Sequence, residues 1–165
     1  MDTASMNLFK INENDSWQSL NDGVMGGVSK SQLTHLDKLA VFSGHVSLDN
    51  NGGFASVNRR VFVSNVALES ELTIRVMGDG KRYQLRLKSG VQKGCPSYSA
   101  GFTTQANVWQ TFRFKLNEFK ATLRGKRVPD APKLNWLDVQ QLGFFISDRQ
   151  EGEFCLLIDS ISLDD

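Results

Sequence analysis

The sequence predicts an all-β fold, an antiparallel β-sandwich or jelly roll. At least six segments alternate apolar and polar residues with the period of two that marks a half-buried strand. Glycine-rich turns separate these segments, and long amphipathic helical stretches are absent from the sequence. Several strands at modest spacing with tight turns are typical of sandwiches and jelly rolls.

The alternating segments are, in chain order, 39–48, 68–76, 83–87, 110–116, 142–147 and 154–163. Phe42 and Tyr83 occupy positions in them that are expected to face the core. The run from Gly78 to Gly80 predicts a hairpin between the second and third strands, and Gly152 predicts one between the last two. Phe54, after a glycine pair, is expected to anchor the core. Weak helical signals occur at 119–123 and 134–142.

Length and charge limit the possible functions. A chain of 165 residues fits one domain, predicted to cover residues 1–165. A formal net charge of +1 argues against nucleic-acid binding, which usually requires a basic face. No apolar run approaches the ~20 residues that span a bilayer, so a membrane-spanning protein is not expected.

The cysteines and the N-terminus predict a reducing compartment. Cys95 and Cys155 form no CxxC pair and have no histidine at metal-ligand spacing. The N-terminus has neither a basic start nor an apolar stretch of the signal-peptide type. We therefore expect two free thiols in a cytoplasmic protein. Cys155 lies in the apolar run FCLLI and is expected to be buried.

No motif for enzyme chemistry is present in the sequence. It contains no GxSxG elbow, no HExxH, no Walker loop and no GxGxxG opening a helix. His35 and His45 have no second histidine or cysteine at ligand spacing. The sequence therefore predicts a non-catalytic protein.

Strand faces and one loop predict a binding surface. Polar residues that point away from the core on three predicted strands are expected to form it, with the glycine-rich loop at its rim. The candidates are Ser56, Asn58, Gln84, Arg86, Thr111 and Arg113 on the strands and Asn21, Asp22, Gly26 and Gly27 in the loop. The alternative is an ordinary solvated sheet face.

Several motifs, in this order and spacing, resemble those of the complex I intermediate-associated protein 30 family. They are NDGVMGGVS at 21–29, GGFASV at 52–57, VMGDGKRYQLRL at 76–87 and LGFFISDRQEGEFCLLIDSISL at 142–163. The resemblance implies a galactose-binding-like β-sandwich. It also implies a protein-binding chaperone or assembly factor for a respiratory or other membrane complex. The same fold analogy leaves a carbohydrate-binding module as the alternative. The N-terminus lacks the features of a mitochondrial presequence, which again predicts a cytoplasmic location.

Asp159 is unusual because a carboxylate in so apolar a strand needs polar partners. Hydrogen bonds to backbone amides of the N-terminal loop are one explanation. The other is a structural Ca²⁺, as held by carbohydrate-binding sandwiches related by fold. Ca²⁺ needs several oxygen ligands, and no DxDxDG-like cluster supplies the rest. No other cofactor is expected.

Overall fold

The strands form two antiparallel sheets packed face to face, which confirms the predicted β-sandwich. A computed structural model describes residues 5–7, 17–19, 29–36, 39–49, 53–63, 66–90, 95–123 and 126–164. Within these ranges the regular structure is β-strand, apart from 3₁₀ turns such as those at Leu116–Glu118 and Trp136–Asp138. The glycine-rich loop at 21–27 lies outside the described residues.

The six-stranded sheet has the order β3-β4-β13-β6-β9, and β1 pairs with the second half of β13. Its strands are β1 (Ser5–Asn7), β3 (Lys30–Leu36), β4 (Leu39–Val46), β6 (Glu71–Met77), β9 (Trp109–Phe114) and β13 (Gly152–Asp164). The central position of β13 agrees with the apolar run predicted there.

The seven-stranded sheet has the order β11-β10-β8-β7-β12-β5-β2. Its strands are β2 (Trp17–Ser19), β5 (Ala55–Arg60), β7 (Arg82–Lys88), β8 (Ser97–Thr103), β10 (Lys120–Leu123), β11 (Lys126–Arg127) and β12 (Gln141–Ile146). The segment 119–123, which gave a weak helical signal, therefore contains a strand.

Aromatic rings from both sheets fill the core. Within the six-stranded sheet, the ring centroids of Phe42 and Phe154 are 4.8 Å apart. Across the core, the ring centroid of Phe42 lies 6.3 Å from that of Tyr83 in the facing sheet. Phe42 and Tyr83 are almost fully buried, as predicted. Burying one large apolar side chain stabilises a fold by about 1.5–3 kcal/mol, so this layer of rings holds the sheets together.

Both predicted hairpins are instead connections between the sheets. The turn from Gly78 to Gly80 joins β6 to β7, and the segment 147–151 joins β12 to β13; in each case the two strands belong to different sheets. Gly152, the first residue of β13, has a positive φ of +114°. Turn residues show where the chain bends, but the partner of the next strand is set by long-range packing.

The two connections are tied to each other's strands by side-chain hydrogen bonds. Asp79 accepts hydrogen bonds from the Tyr83 hydroxyl at 2.9 Å and from the backbone N–H of Cys155 at 2.9 Å. Gln150 accepts one from the backbone N–H of Arg82 at 2.8 Å and donates to the Arg82 carbonyl at 2.8 Å. The starts of β7 and β13 are therefore held together.

Cys155 differs from its prediction. It is exposed rather than buried, because Phe154 and Leu156 take the inward positions of β13 and Cys155 alternates outward. Partial burial of its thiol group raises its pKa, and the Asp79 carboxylate adds to this effect. Both cysteines are free thiols, Cys95 being half-buried.

Some predicted strand ends also change. Leu68 lies before β6 and is exposed, and Leu116 lies in a 3₁₀ turn after β9. Within the described part of the chain, no helix has the length and apolar character needed to cross a bilayer.

Replacing Asp79 with Ala is expected to lower the free energy of unfolding by about 1–3 kcal/mol, because the buried Tyr83 hydroxyl loses its acceptor. Tyr83→Phe removes the same hydrogen bond from the donor side. Denaturant unfolding of both single variants and the double variant measures the coupling. The double variant should lose less than the two single losses added together; full additivity would show that this hydrogen bond contributes nothing.

Candidate binding surface on the seven-stranded sheet

Four of the predicted surface residues come together on the outer face of the seven-stranded sheet. Ser56 and Asn58 lie on β5, Gln84 and Arg86 lie on β7, and β12 runs between these strands. Phe145 of β12 is the register partner of both Gln84 and Ser56. The intervening residues of each strand face the core, so these side chains share the outer face.

Thr111 and Arg113 do not belong to this surface. They lie on β9, at the edge of the six-stranded sheet. Since the outer faces of the two sheets of a sandwich point in opposite directions, the predicted grouping of all six residues on one surface is wrong. Asn21, Asp22, Gly26 and Gly27 lie outside the described residues.

Arg86 occupies the centre of the outer face. Its guanidinium carbon lies 3.5 Å from the ring centroid of Phe145. Its Nε and Nη2 donate to Oε1 of Gln84 at 3.1 and 3.0 Å. Burial lowers the pKa of Arg86 to about 10, so the side chain is still charged at neutral pH. The ion pairs between described residues involve other cations, namely Arg75, Lys81 and Arg82.

The ring of Phe145 is already engaged by two neighbours. Phe54 stacks on it with centroids 5.3 Å apart and planes inclined by 16°, and Arg86 lies over it from β7. The prediction that Phe54 anchors the core is therefore wrong. Phe54 instead packs against Phe145 on the outer face. Sequence reasoning identified neither this role nor Phe145, because alternation alone does not say which outward residues touch.

Gly143 makes room for Asn58 beside Arg86. Gly143 is the register partner of both residues. A Cβ atom added to it would lie 2.1 Å from Oδ1 of Asn58 and 2.7 Å from the carbonyl oxygen of Val57. Only glycine therefore lets the Asn58 amide lie across β12.

The charges of the two sheets differ strongly. Within the described residues, the strands of the seven-stranded sheet contain no Asp or Glu. Their Lys and Arg residues are Arg59, Arg60, Arg82, Arg86, Lys88, Lys120, Lys126 and Arg127. The strands of the six-stranded sheet carry acidic Glu71, Glu153, Asp159 and Asp164 and basic Lys30, Arg75 and Arg113.

Most of these cations share one face. The register aligns Lys120 with Ser99 and Ser99 with Arg86, and it aligns Arg60 and Lys88 with opposite sides of Gln141. We call the outer-face set of Arg60, Arg82, Arg86, Lys88, Lys120 and Arg127 the cationic face. Its members Arg60, Arg82, Lys120 and Arg127 are exposed, whereas Arg86 and Lys88 are half-buried.

A groove of about 950 Å³ adjoins one edge of the cationic face. Lys120 and Arg127 belong to both features. Leu116 and Phe119 are among the apolar residues that line the groove, and Glu69 and Glu71 are among its acidic residues. It offers apolar contacts next to the charged surface.

Asp159 lies away from this surface and is not buried. It is the extra residue of a β-bulge in β13, where the register with β6 shifts between Ile158 and Ser160. Its carboxylate accepts a hydrogen bond from Nη1 of Arg75 at 3.3 Å, and its side chain is 39% exposed. The guanidinium carbon of Arg75 also lies 4.5 Å from the ring centroid of Trp109. No group of three or more His, Cys, Asp or Glu side chains suited to a metal occurs among the described residues.

Comparison with known proteins gives one matching family model and two curated relatives with the same designation. The family model described as Complex I intermediate-associated protein 30 matches residues 6–158. Two curated relatives, from Caenorhabditis elegans and Caenorhabditis briggsae, are both named "Probable complex I intermediate-associated protein 30, mitochondrial". Each is 28% identical, over 96% and 98% of this chain respectively. The alignments cover 50% and 51% of the relatives, so the chain spans about half their length.

The names of these relatives correct one expectation. Both are designated mitochondrial, which contradicts the cytoplasmic location predicted from the N-terminus. The cytoplasmic expectation came only from the first residues of the given sequence, whereas the designation of the relatives applies to whole proteins of about twice its length.

Several solved structures that match are carbohydrate-binding modules. The family 11 module of the cellulase Lic26A-Cel5E of Clostridium thermocellum has a TM-score of 0.70 and 13% identity, covering 99% of this chain and 95% of that one. The agarase AgWH50C matches with a TM-score of 0.63 and 10% identity, over 96% of this chain and 24% of the agarase. At such identities the likeness shows the fold alone, a jelly roll of the galactose-binding-like type.

Gly143→Ala is expected to lower the free energy of unfolding by about 1–3 kcal/mol, because the new methyl group would collide with Asn58 and the Val57 backbone. Gly101→Ala is the matched control, on the outer face of β8, where the nearest atom to an added Cβ is 3.8 Å away. Denaturant unfolding should show a change within about 0.5 kcal/mol for the control. Equal losses for both variants would contradict the close approach at Gly143.

Asp159→Ala is expected to change the free energy of unfolding by less than about 1 kcal/mol, because the pair with Arg75 is exposed to solvent. Thermal unfolding with added CaCl₂ and with a chelator completes the measurement. We expect the same melting temperature in both. A rise with Ca²⁺ that the substitution abolishes would instead establish a calcium site.

Proposed function

The chain belongs to the complex I intermediate-associated protein 30 family, and on this premise we propose that it is a non-catalytic protein-binding domain acting in complex I assembly. Its partner would be a subunit or assembly intermediate of that respiratory complex. The family name, which records association with complex I intermediates, supports the binding role. The domain would hold its partner and perform no chemistry.

The observation that carries this proposal is the half-buried Arg86 at the centre of a polar sheet face, where cations nearer the edges, such as Arg60 and Lys120, are exposed. Protein interfaces commonly concentrate their binding energy in a few anchors, with Arg strongly enriched among them. A rim of polar and charged side chains around such an anchor is the usual arrangement. The outer face of the seven-stranded sheet has both parts.

Carbohydrate binding is the competing function, and the likeness in fold is what favours it. Sugar-binding platforms use an open aromatic face against which the ring of the sugar packs. On the candidate surface, Phe54 and Arg86 already cover Phe145. This arrangement favours a protein partner over a glycan.

The proposal is tested by affinity purification from mitochondria isolated from cells that express the tagged protein. We expect complex I subunits to be recovered with the wild-type protein, and to co-migrate with it on native gels as partly assembled complexes. Arg86→Glu with Lys88→Glu should abolish this recovery, because it reverses charge at the centre of the cationic face. Arg75→Glu with Arg113→Glu makes the same charge change on the other sheet and should retain it.

Two outcomes would contradict the proposal. One is recovery of no complex I subunit with the wild-type protein under conditions that preserve assembly intermediates. The other is retention of the wild-type protein on immobilised glycans together with an empty purification, which would favour the carbohydrate-binding alternative. Melting temperatures of all variants verify that they are folded.

A further inference from the structure

We propose that the cationic face recognises an acidic segment of the partner protein, with one carboxylate of that segment held by Arg86. This inference rests on the proposed protein-binding function and specifies the chemistry of the partner. The occupant is a stretch of polypeptide rich in Asp or Glu, laid across β8, β7, β12 and β5.

The distribution of charge is the first argument. The described strands of the seven-stranded sheet carry Lys and Arg but no Asp or Glu, although the formal net charge of the whole chain is only +1. A face with one sign of charge attracts the opposite sign and speeds its association. Among described residues, Arg82 is the member of the cationic face that has a carboxylate partner, Asp148 at 3.8 Å.

The geometry of Arg86 is the second argument. Stacking on Phe145 fixes the plane of the guanidinium, and Gln84 Oε1 occupies Nε and one direction of Nη2. Within the described part of the chain, Nη1 donates to no acceptor, and no carboxylate neutralises the charge. A guanidinium held in this way presents donors in the fixed fork that matches a carboxylate.

Because Arg86 is half-buried, binding of a partner's carboxylate is more favourable at Arg86 than at an exposed lysine. Desolvation lowers the pKa of Arg86 to about 10, which means that the surroundings disfavour its charged form. A carboxylate that binds at this position restores the lost stabilisation of the charge. Because the site is partly shielded from water, the attraction is screened less than at the rim.

The surroundings favour a polypeptide over a single-stranded nucleic acid. Single-stranded nucleic acids stack their bases on open aromatic rings, and the ring of Phe145 is covered by Phe54 and Arg86. The Asn58 amide beside Gly143 offers a donor and an acceptor of the kind that suits a peptide backbone. The adjoining groove, with Leu116 and Phe119, can take apolar side chains of the same segment.

Binding of defined probes to the intact protein tests the inference. The first probe is a fluorescently labelled peptide in which Glu alternates with Ser, and the second has Gln in place of every Glu. A labelled single-stranded oligouridine of similar length is the third. By fluorescence anisotropy at low salt, we expect binding of the Glu peptide, weakening as salt rises, and no binding of the Gln peptide. We also expect the oligouridine to bind more weakly than the Glu peptide.

Matched substitutions assign the binding to Arg86. Arg86→Gln should weaken binding of the Glu peptide by about tenfold or more, and Arg86→Lys should weaken it less, because the charge remains without the fork. Arg113→Gln removes the same charge from the other sheet and should have little effect. Lys120→Gln tests the rim and should weaken binding only modestly. Equal weakening by Arg86→Gln and Arg113→Gln would overturn the inference, as would stronger binding of the oligouridine.

Failure of this inference can be distinguished from failure of the proposed function. If wild-type protein and Arg86→Gln recover complex I subunits equally from mitochondria, the protein-binding function stands and the Arg86 site is rejected. If the wild-type protein recovers none but binds the Glu peptide through Arg86, the acidic-segment site stands and the role in complex I assembly is rejected. Melting temperatures within a few degrees of the wild type exclude misfolding as the cause of any loss.

Discussion

The positions of Arg82, Arg86 and Lys88 on the cationic face depend on how the chain crosses between the two sheets before β7. Asp79, in the connection before β7, accepts a hydrogen bond from Cys155 at the start of β13. Gln150, in the connection before β13, accepts one from Arg82 at the start of β7. These bonds fix where β7 and β13 begin. Because side chains alternate with a period of two, a slip of β7 by one residue would turn Arg86 into the core and Tyr83 out of it. A polar tether at one end of the sandwich thus determines the electrostatics of its face.

Local pattern predicted inward side chains where a strand alternates regularly, although it failed for Cys155 and Phe54. Phe42 and Tyr83 are buried as expected, because alternation is a property of each strand by itself. Pattern could not predict which strands become neighbours. Gln84 and Thr111 both point outward in the sequence pattern, yet they lie on opposite sheets. Strand pairing depends on contacts between residues that are distant in sequence, and no local signal records them.

Charge was the most misleading quantity at the level of sequence. The net charge of +1 was used to argue against a basic face of the kind that binds nucleic acids, but a sum over the chain does not report how charges are distributed. The fold separates the charges, since acidic residues such as Glu71 and Glu153 lie on the six-stranded sheet and Arg60, Arg86 and Lys88 lie on the other. The motifs predicted the family, whereas the set of residues that share the candidate binding surface became clear only from the strand order of the two sheets.

The bulge at Asp159 gives β13 one position at which its length can change without inverting the side chains on either side. Ile158 and Ile161 both face the core, and the two residues between them, Asp159 and Ser160, both face away from it. Deleting one of these two would restore simple alternation and leave every inward side chain inward. Elsewhere in β13 a single deletion would invert one half of the strand. Over evolutionary time, this is the position of the strand where residues can be lost or gained without disturbing the core.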